Sequence, residues 1–168
     1  MKVVSKQRNS RMCIICGLDN EYGVNAPFYN MEDGSVMSVF RYKKQHQSYP
    51  GRVHGGMITA MLDEMGLRSL WARELAEETF GVTLSLETKY RRPVPYETDL
   101  IAKGVIVNES SKFLITDASI MSMNGEILAN GTIKYIKMDT EKISGDAAVH
   151  EEMPYLMEDG KTEIYLPA

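Results

Sequence analysis

His54-Gly55-Gly56 and Asp63-Glu64 are the residues of this sequence whose types and spacing bear most directly on chemistry. Both groups fall within GRVHGGMITAMLDEMG, residues 51–66. Two glycines at a helix start let another molecule's atoms approach backbone N–H groups that have no intrahelical partner. Those N–H groups, together with the helix dipole, favour a negative charge or a polarised oxygen. The plainer reading makes Gly-Gly a tight turn after Pro50-Gly51. A carboxylate serves as general base or nucleophile where it is partly shielded, and is a solvated charge elsewhere.

Helical geometry sharpens the question. At about 100° per residue, Asp63 shares a stripe with Thr59, Gly66 and Leu70, which is small and mixed. Glu64 lies nearer Met57, Ala60, Arg68 and Trp71. Gly55 and Asp63 are about 12 Å apart along the axis at about 1.5 Å per residue. They cannot both touch one reacting carbonyl within a single chain. If both are catalytic, each site takes one group from a second copy, which predicts a homodimer with two symmetric, shared sites.

A metal is not expected at this stretch. His54 and the acidic pair lack the i, i+4 geometry of a helical zinc motif, and His46 and His150 are not in ligand spacing. Cys13-Ile14-Ile15-Cys16 is half of a zinc signature without its second pair. It is open to three readings: a turn with two buried thiols, a redox pair, or half of a shared site.

The elements that must position these residues follow from periodicity. From Gly55 to about Ala76 the pattern is helical, with Ile58, Met61, Leu62, Met65 and Ser69 on one face. Residues 22–30 and 35–43 read as a hairpin turning at Glu32-Asp33-Gly34. After the helix come strand-like runs at 81–90, 99–108, 112–123 and 126–138, the last two joined by an Asn124-Gly125 turn. The order is α+β: one antiparallel sheet, its last four strands in meander, with one long helix. Residues 1–21 read as an irregular polar segment around the two cysteines, and 139–168 as an acidic tail or short extra element. The remaining 1–138 forms one domain.

Composition narrows the function classes. The chain has 168 residues, 43% hydrophobic and 25% charged, with a formal net charge of −4. That balance argues against nucleic acid as the main partner. Two cysteines make no disulfide framework. No apolar run has signal-peptide or membrane-span length, so no membrane partner and a cytoplasmic setting are expected. Twelve methionines suit a plastic core or an adaptable apolar pocket.

His54-Gly55-Gly56 followed by Asp63 resembles the hotdog-fold acyl-CoA thioesterases, in the phenylacetate-degradation-type branch of the 4-hydroxybenzoyl-CoA thioesterase superfamily. Thr83 in GVTLSLETKYRRPVP resembles the Thr/Ser of that family's strand after the helix. Tyr90-Arg91-Arg92-Pro93-Val94-Pro95 resembles its Y-x-R-P-x-P segment, and CIICGLDNEYGV resembles an N-terminal C-x-x-C-G start found in part of the group. Together these cover residues 13–138. The chain departs from the pattern at Ser48, where the family often has Gly.

The resemblance implies a curved antiparallel sheet wrapped around one central helix. It also implies roles: the Gly55 N–H polarises the thioester carbonyl, the partner's Asp63 acts as general base on water or as nucleophile, and Thr83 positions that water. His54 orients the thioester or shapes the loop. Gln47, Gly56, Glu64, Tyr90, Arg91 and Arg92 are the expected substrate-binding residues; by their own chemistry the two arginines either face CoA phosphates or are solvated edge charges. No cofactor or metal is implied, and the assembly is a homodimer or a tetramer of such dimers. The expected function is hydrolysis of an acyl-CoA to free acid and CoA. The alternative is a non-catalytic acyl- or ligand-binding hotdog protein in which Asp63 is dispensable. A hydratase is disfavoured because no His–carboxylate arrangement of that kind is found.

Overall fold

The computed structural model describes residues 1–73, 79–144 and 152–166. His150 lies outside them. Among the described residues, seven strands form one antiparallel sheet: β1 (Val3–Lys6), β2 (Tyr29–Met31), β3 (Val36–Phe40), β4 (Thr79–Tyr90), β5 (Leu100–Glu109), β6 (Phe113–Ser122) and β7 (Ile127–Asp139). Helix α1 (Gly55–Arg73) enters between β3 and β4, and a short α2 (Thr140–Ser144) follows β7. The spatial order is β1-β2-β3-β5-β6-β7-β4.

α1 packs against every strand from β2 to β7. From Met57 to Ala72 no helical residue is exposed. Ile58, Met61, Leu62 and Met65 from the expected stripe are buried, and so are Arg68, Leu70 and Trp71 on other faces. A helix that is buried all round belongs at the centre of a fold. The α+β architecture expected from the sequence, a curved sheet around one long helix, is the one observed. Gly104 on β5 shows how closely the two layers approach. A Cβ there would lie 2.5 Å from the Met65 carbonyl oxygen.

Three expectations are revised. The strands after the helix do not form a four-strand meander. β5, β6 and β7 do, but β4 pairs with β7 and becomes the edge. The physical reason is the segment RRPVPYETD after β4, whose prolines cannot form a tight hairpin. It crosses the helix start instead, where Val53 N–H donates to the Val94 carbonyl at 2.9 Å, and delivers β5 beside β3. The first hairpin is shorter than 22–30 and 35–43, because Asn25 adopts a positive φ of 57° and Pro27 has no N–H to give a ladder.

The N-terminal segment is not wholly irregular, since Val3–Lys6 extends the sheet. Alongside it runs the chain's far end. Val3 N–H donates to Thr162, Ile164 N–H to Met1 and Asn9 N–H to Tyr155. Ile164 is buried with Tyr29, Met31, Met37 and Ile101 in a second, smaller core. Asp159 pairs with Lys6 and accepts from the Tyr29 hydroxyl.

Candidate active site

The start of α1 is built by the loop before it. His54 N–H donates to the His46 carbonyl at 2.8 Å, and Gln47 bridges to Val53, so the loop closes on itself beneath the helix. His54 then caps the helix, its Nδ1 accepting the Gly56 N–H at 2.9 Å. Met57 and Ile58 N–H groups turn to the His54 carbonyl. Of the first helical N–H groups, that of Gly55 has no hydrogen-bond partner among the described residues. The neighbouring N–H is thus occupied by His54, and the open donor is Gly55.

Further along the helix, Asp63 is half-buried. Thr83 Oγ1 donates to its carboxylate, 2.9 Å from one oxygen and 3.2 Å from the other. The Tyr135 hydroxyl donates to the Asp63 main-chain carbonyl at 2.6 Å. Burial pushes the Asp63 carboxyl above its ordinary range, and the Glu64 charge adds to that push, while the Thr83 hydrogen bond pulls it back.

β4 clamps both ends of this arrangement. Tyr90 Oη donates to the Gly55 carbonyl at 3.2 Å and lies 2.7 Å from Thr59 Oγ1, and Thr88 lies 3.2 Å from Thr59. Strict alternation would not allow Thr83, Thr88 and Tyr90 to face one helix, because 83 differs in parity from 88 and 90. A β-bulge between Thr83 and Ser85 makes it possible: Thr83 pairs with Tyr135, but Ser85 already pairs with Lys134. Leu84 is the extra residue and is exposed.

Above the helix start opens a cleft of about 380 Å3, lined by Arg52, Gly55, Ile58, Tyr90, Arg91 and Arg92 among others. Arg91 and Arg92 also border a neighbouring hollow. There Arg91 Nε donates to Asn130 at 3.0 Å and Arg92 Nε to Glu126 at 3.1 Å. Three arginines at one mouth suit a phosphorylated ligand. Arg52 was not among the residues the sequence singled out. Its position beside Gly51, a positive-φ turn residue in the same loop, was the available signal.

The structure thus gathers Gln47, His54, Gly55, Gly56, Tyr90, Arg91 and Arg92 around the helix start, and Asp63 with Thr83 two turns away. Glu64 joins neither group. Its carboxylate accepts from Arg68 Nε at 2.9 Å and faces Cys13 on the other side of the helix. A substrate-binding role for Glu64 has no geometric support in this fold.

The thioesterase superfamily, as a family model, matches residues 50–129. These residues include α1, β4 to β6 and the cleft residues from Arg52 to Val94. Over these residues the chain is similar to the thioesterase superfamily. Acyl-coenzyme A thioesterase THEM4 of Mus musculus is 28% identical over 128 residues, covering 75% of this chain and 52% of the relative. The chain spans about half the length of the curated mouse and rat relatives it matches. A solved thioesterase superfamily protein superposes with a TM-score of 0.66 at 25% identity, over 74% of this chain and 63% of the other. A hypothetical thioesterase from Streptococcus pneumoniae TIGR4, solved with coenzyme A, gives a TM-score of 0.60 at 21% identity, over 68% and 90% of the two chains. The last likeness is one of fold. No described helix is long and apolar enough to cross a membrane.

Proposed function

We propose that this chain is a thioesterase of the superfamily its residues 50–129 match, and that it hydrolyses an acyl-CoA to free acid and CoA as a homodimer. Each site takes the helix start from one subunit and Asp63 with Thr83 from the other. The observation that carries this reading is the pairing of an open Gly55 N–H at the start of α1 with a carboxylate fixed by Thr83 further along the same helix. The two lie about 12 Å apart by helical rise, so one chain cannot supply both to one carbonyl.

The edge strand supplies the means of assembly. Among the described residues no strand pairs with the outer edge of β4, and Val82, Leu84 and Tyr90 along it are exposed. An unpaired edge of this kind is a template for a second strand. In two-fold antiparallel pairing of β4 with its copy, the Tyr90 end of one strand lies beside the Thr83 end of the other. Tyr90 is bonded to the helix start and Thr83 to Asp63. That pairing therefore turns each Gly55 toward the partner's Asp63.

The chemistry then follows from the parts. Asp63 takes a proton from water as the water oxygen bonds to the thioester carbonyl carbon. The carbonyl oxygen gains negative charge facing the Gly55 N–H and the helix dipole, where one preorganised donor is typically worth about 3–4 kcal/mol. Collapse of the tetrahedral intermediate breaks the C–S bond, and the departing CoA sulfur takes the proton from Asp63. Arg52, Arg91 and Arg92 hold the CoA phosphates at the cleft mouth.

A panel of acyl-CoA esters read by release of free thiol tests the reading. Turnover of at least one ester, lost in Asp63→Asn with the fold retained, supports it. No turnover on any, with binding retained, assigns the chain to acyl or ligand binding instead.

A further inference from the structure

We infer that Cys13, Cys16 and Glu64 form a zinc site that pins the N-terminal CxxC turn to the helix carrying Asp63. The donor atoms of these three residues all lie within 4.8 Å of one another, and Cys13 Sγ is 3.9 Å from Glu64 Oε2. Around a tetrahedral zinc ion, with Zn–S about 2.3 Å and Zn–O about 2.1 Å, neighbouring donors stand roughly 3.5–3.8 Å apart. The set is therefore near coordinating spacing, and small side-chain rotations complete it.

The turn is shaped to hold a sulfur anion. Cys13 Sγ accepts the backbone N–H groups of Ile15 at 3.3 Å and Cys16 at 3.5 Å. Gly17 N–H donates back to the Cys13 carbonyl at 2.8 Å. Only glycine fits at 17, since a Cβ would lie 2.5 Å from that carbonyl oxygen. Asn9, fully buried, fastens the turn from below through Nδ2 to the Cys16 carbonyl at 2.7 Å.

Charge selects a divalent ion. Once a metal displaces both thiol protons, the two thiolates and the Glu64 carboxylate carry three negative charges against one positive charge on the adjacent Arg68. Arg68 is itself fixed: Nε on Glu64 Oε1, one terminal nitrogen on the Arg8 carbonyl at 2.7 Å, and the guanidinium between the rings of Phe28 and Trp71. The remainder of two negative charges is neutralised by one divalent cation. Thiolate-rich donors with one carboxylate favour zinc over magnesium or calcium. A redox pair would need only the two sulfurs. It gives no part to Glu64, which reaches Cys13 from 51 positions along the chain. Cys13 is half-buried, so water can take the fourth position.

Metal analysis of the reduced 168-residue chain, zinc titration against a chromophoric chelator, and cobalt substitution test this site. Expected are one zinc per chain, a thiolate-to-cobalt charge-transfer band with tetrahedral d–d bands, and a lower melting temperature after chelation. Cys13→Ser and Cys16→Ser should abolish the charge-transfer band, and Glu64→Gln should weaken zinc by at least about tenfold. Circular dichroism checks that these variants fold. Wild-type chain that takes up no zinc or cobalt when reduced overturns the site, as does metal whose affinity the cysteine variants leave unchanged. A Cys13–Cys16 disulfide in chain that binds no metal when reduced assigns the pair to redox chemistry instead.

Discussion

Thr83 fastens Asp63 across the gap between edge strand and central helix, its hydroxyl 2.9 Å and 3.2 Å from the two carboxylate oxygens. The bond favours the ionised acid, so it opposes the upward push of burial. If Asp63 is the base, the acid limb of the kcat/KM profile reports its protonation in the free enzyme. Thr83→Val should move that limb to higher pH with the fold intact. Asp63→Asn should lower kcat by about 10²–10⁴ on the plateau above that limb. Thiol release across a pH series measures both, and an unmoved limb in Thr83→Val removes Asp63 from the role of base.

Gly55→Pro removes the open N–H while keeping a residue that is tolerated at the first helical position. A fall in kcat of about 10²–10³ is expected. Mixing inactive Gly55→Pro and Asp63→Asn subunits should then restore one intact site per heterodimer. After random exchange that is about one quarter of wild-type activity. No recovery after exchange confirmed by native mass spectrometry argues against sites shared between subunits.

Arg52, Arg91 and Arg92 meet at the cleft mouth. Replacing each with Ala should raise KM for an acyl-CoA and make it less sensitive to salt. The same variants should leave KM unchanged for the pantetheine thioester of the same acid, which lacks the nucleotide phosphates. Equal effects on both substrates would place the arginines outside phosphate recognition.

Gly104→Ala tests how tightly helix and sheet meet. The added methyl lies 2.5 Å from the Met65 carbonyl oxygen and 2.7 Å from Ser69 Oγ, and the former is backbone that cannot swing aside. A loss of about 1–3 kcal/mol is expected in urea denaturation, with no change in kcat per folded molecule.

The local features of this protein were legible in its sequence. The helix start at Gly55, the four later strand segments to within one or two residues, and the wide spacing of Gly55 and Asp63 along one helix all follow from periodicity and fixed helical rise. These depend on residues close in the chain. What the tertiary structure decided was non-local. Two prolines in RRPVPYETD set β4 at the edge beside β7, where a meander was expected. The bulge at Leu84, which brings both Thr83 and Tyr90 onto α1, arises from pairing with β7, and no pattern within β4 announces it. Glu64 reads as Asp63's neighbour in sequence. On a helix buried on all sides, adjacent residues point about 100° apart, so Asp63 meets Thr83 while Glu64 meets Arg68 and the two cysteines. Only packing against distant segments determines which chemistry each carboxylate joins.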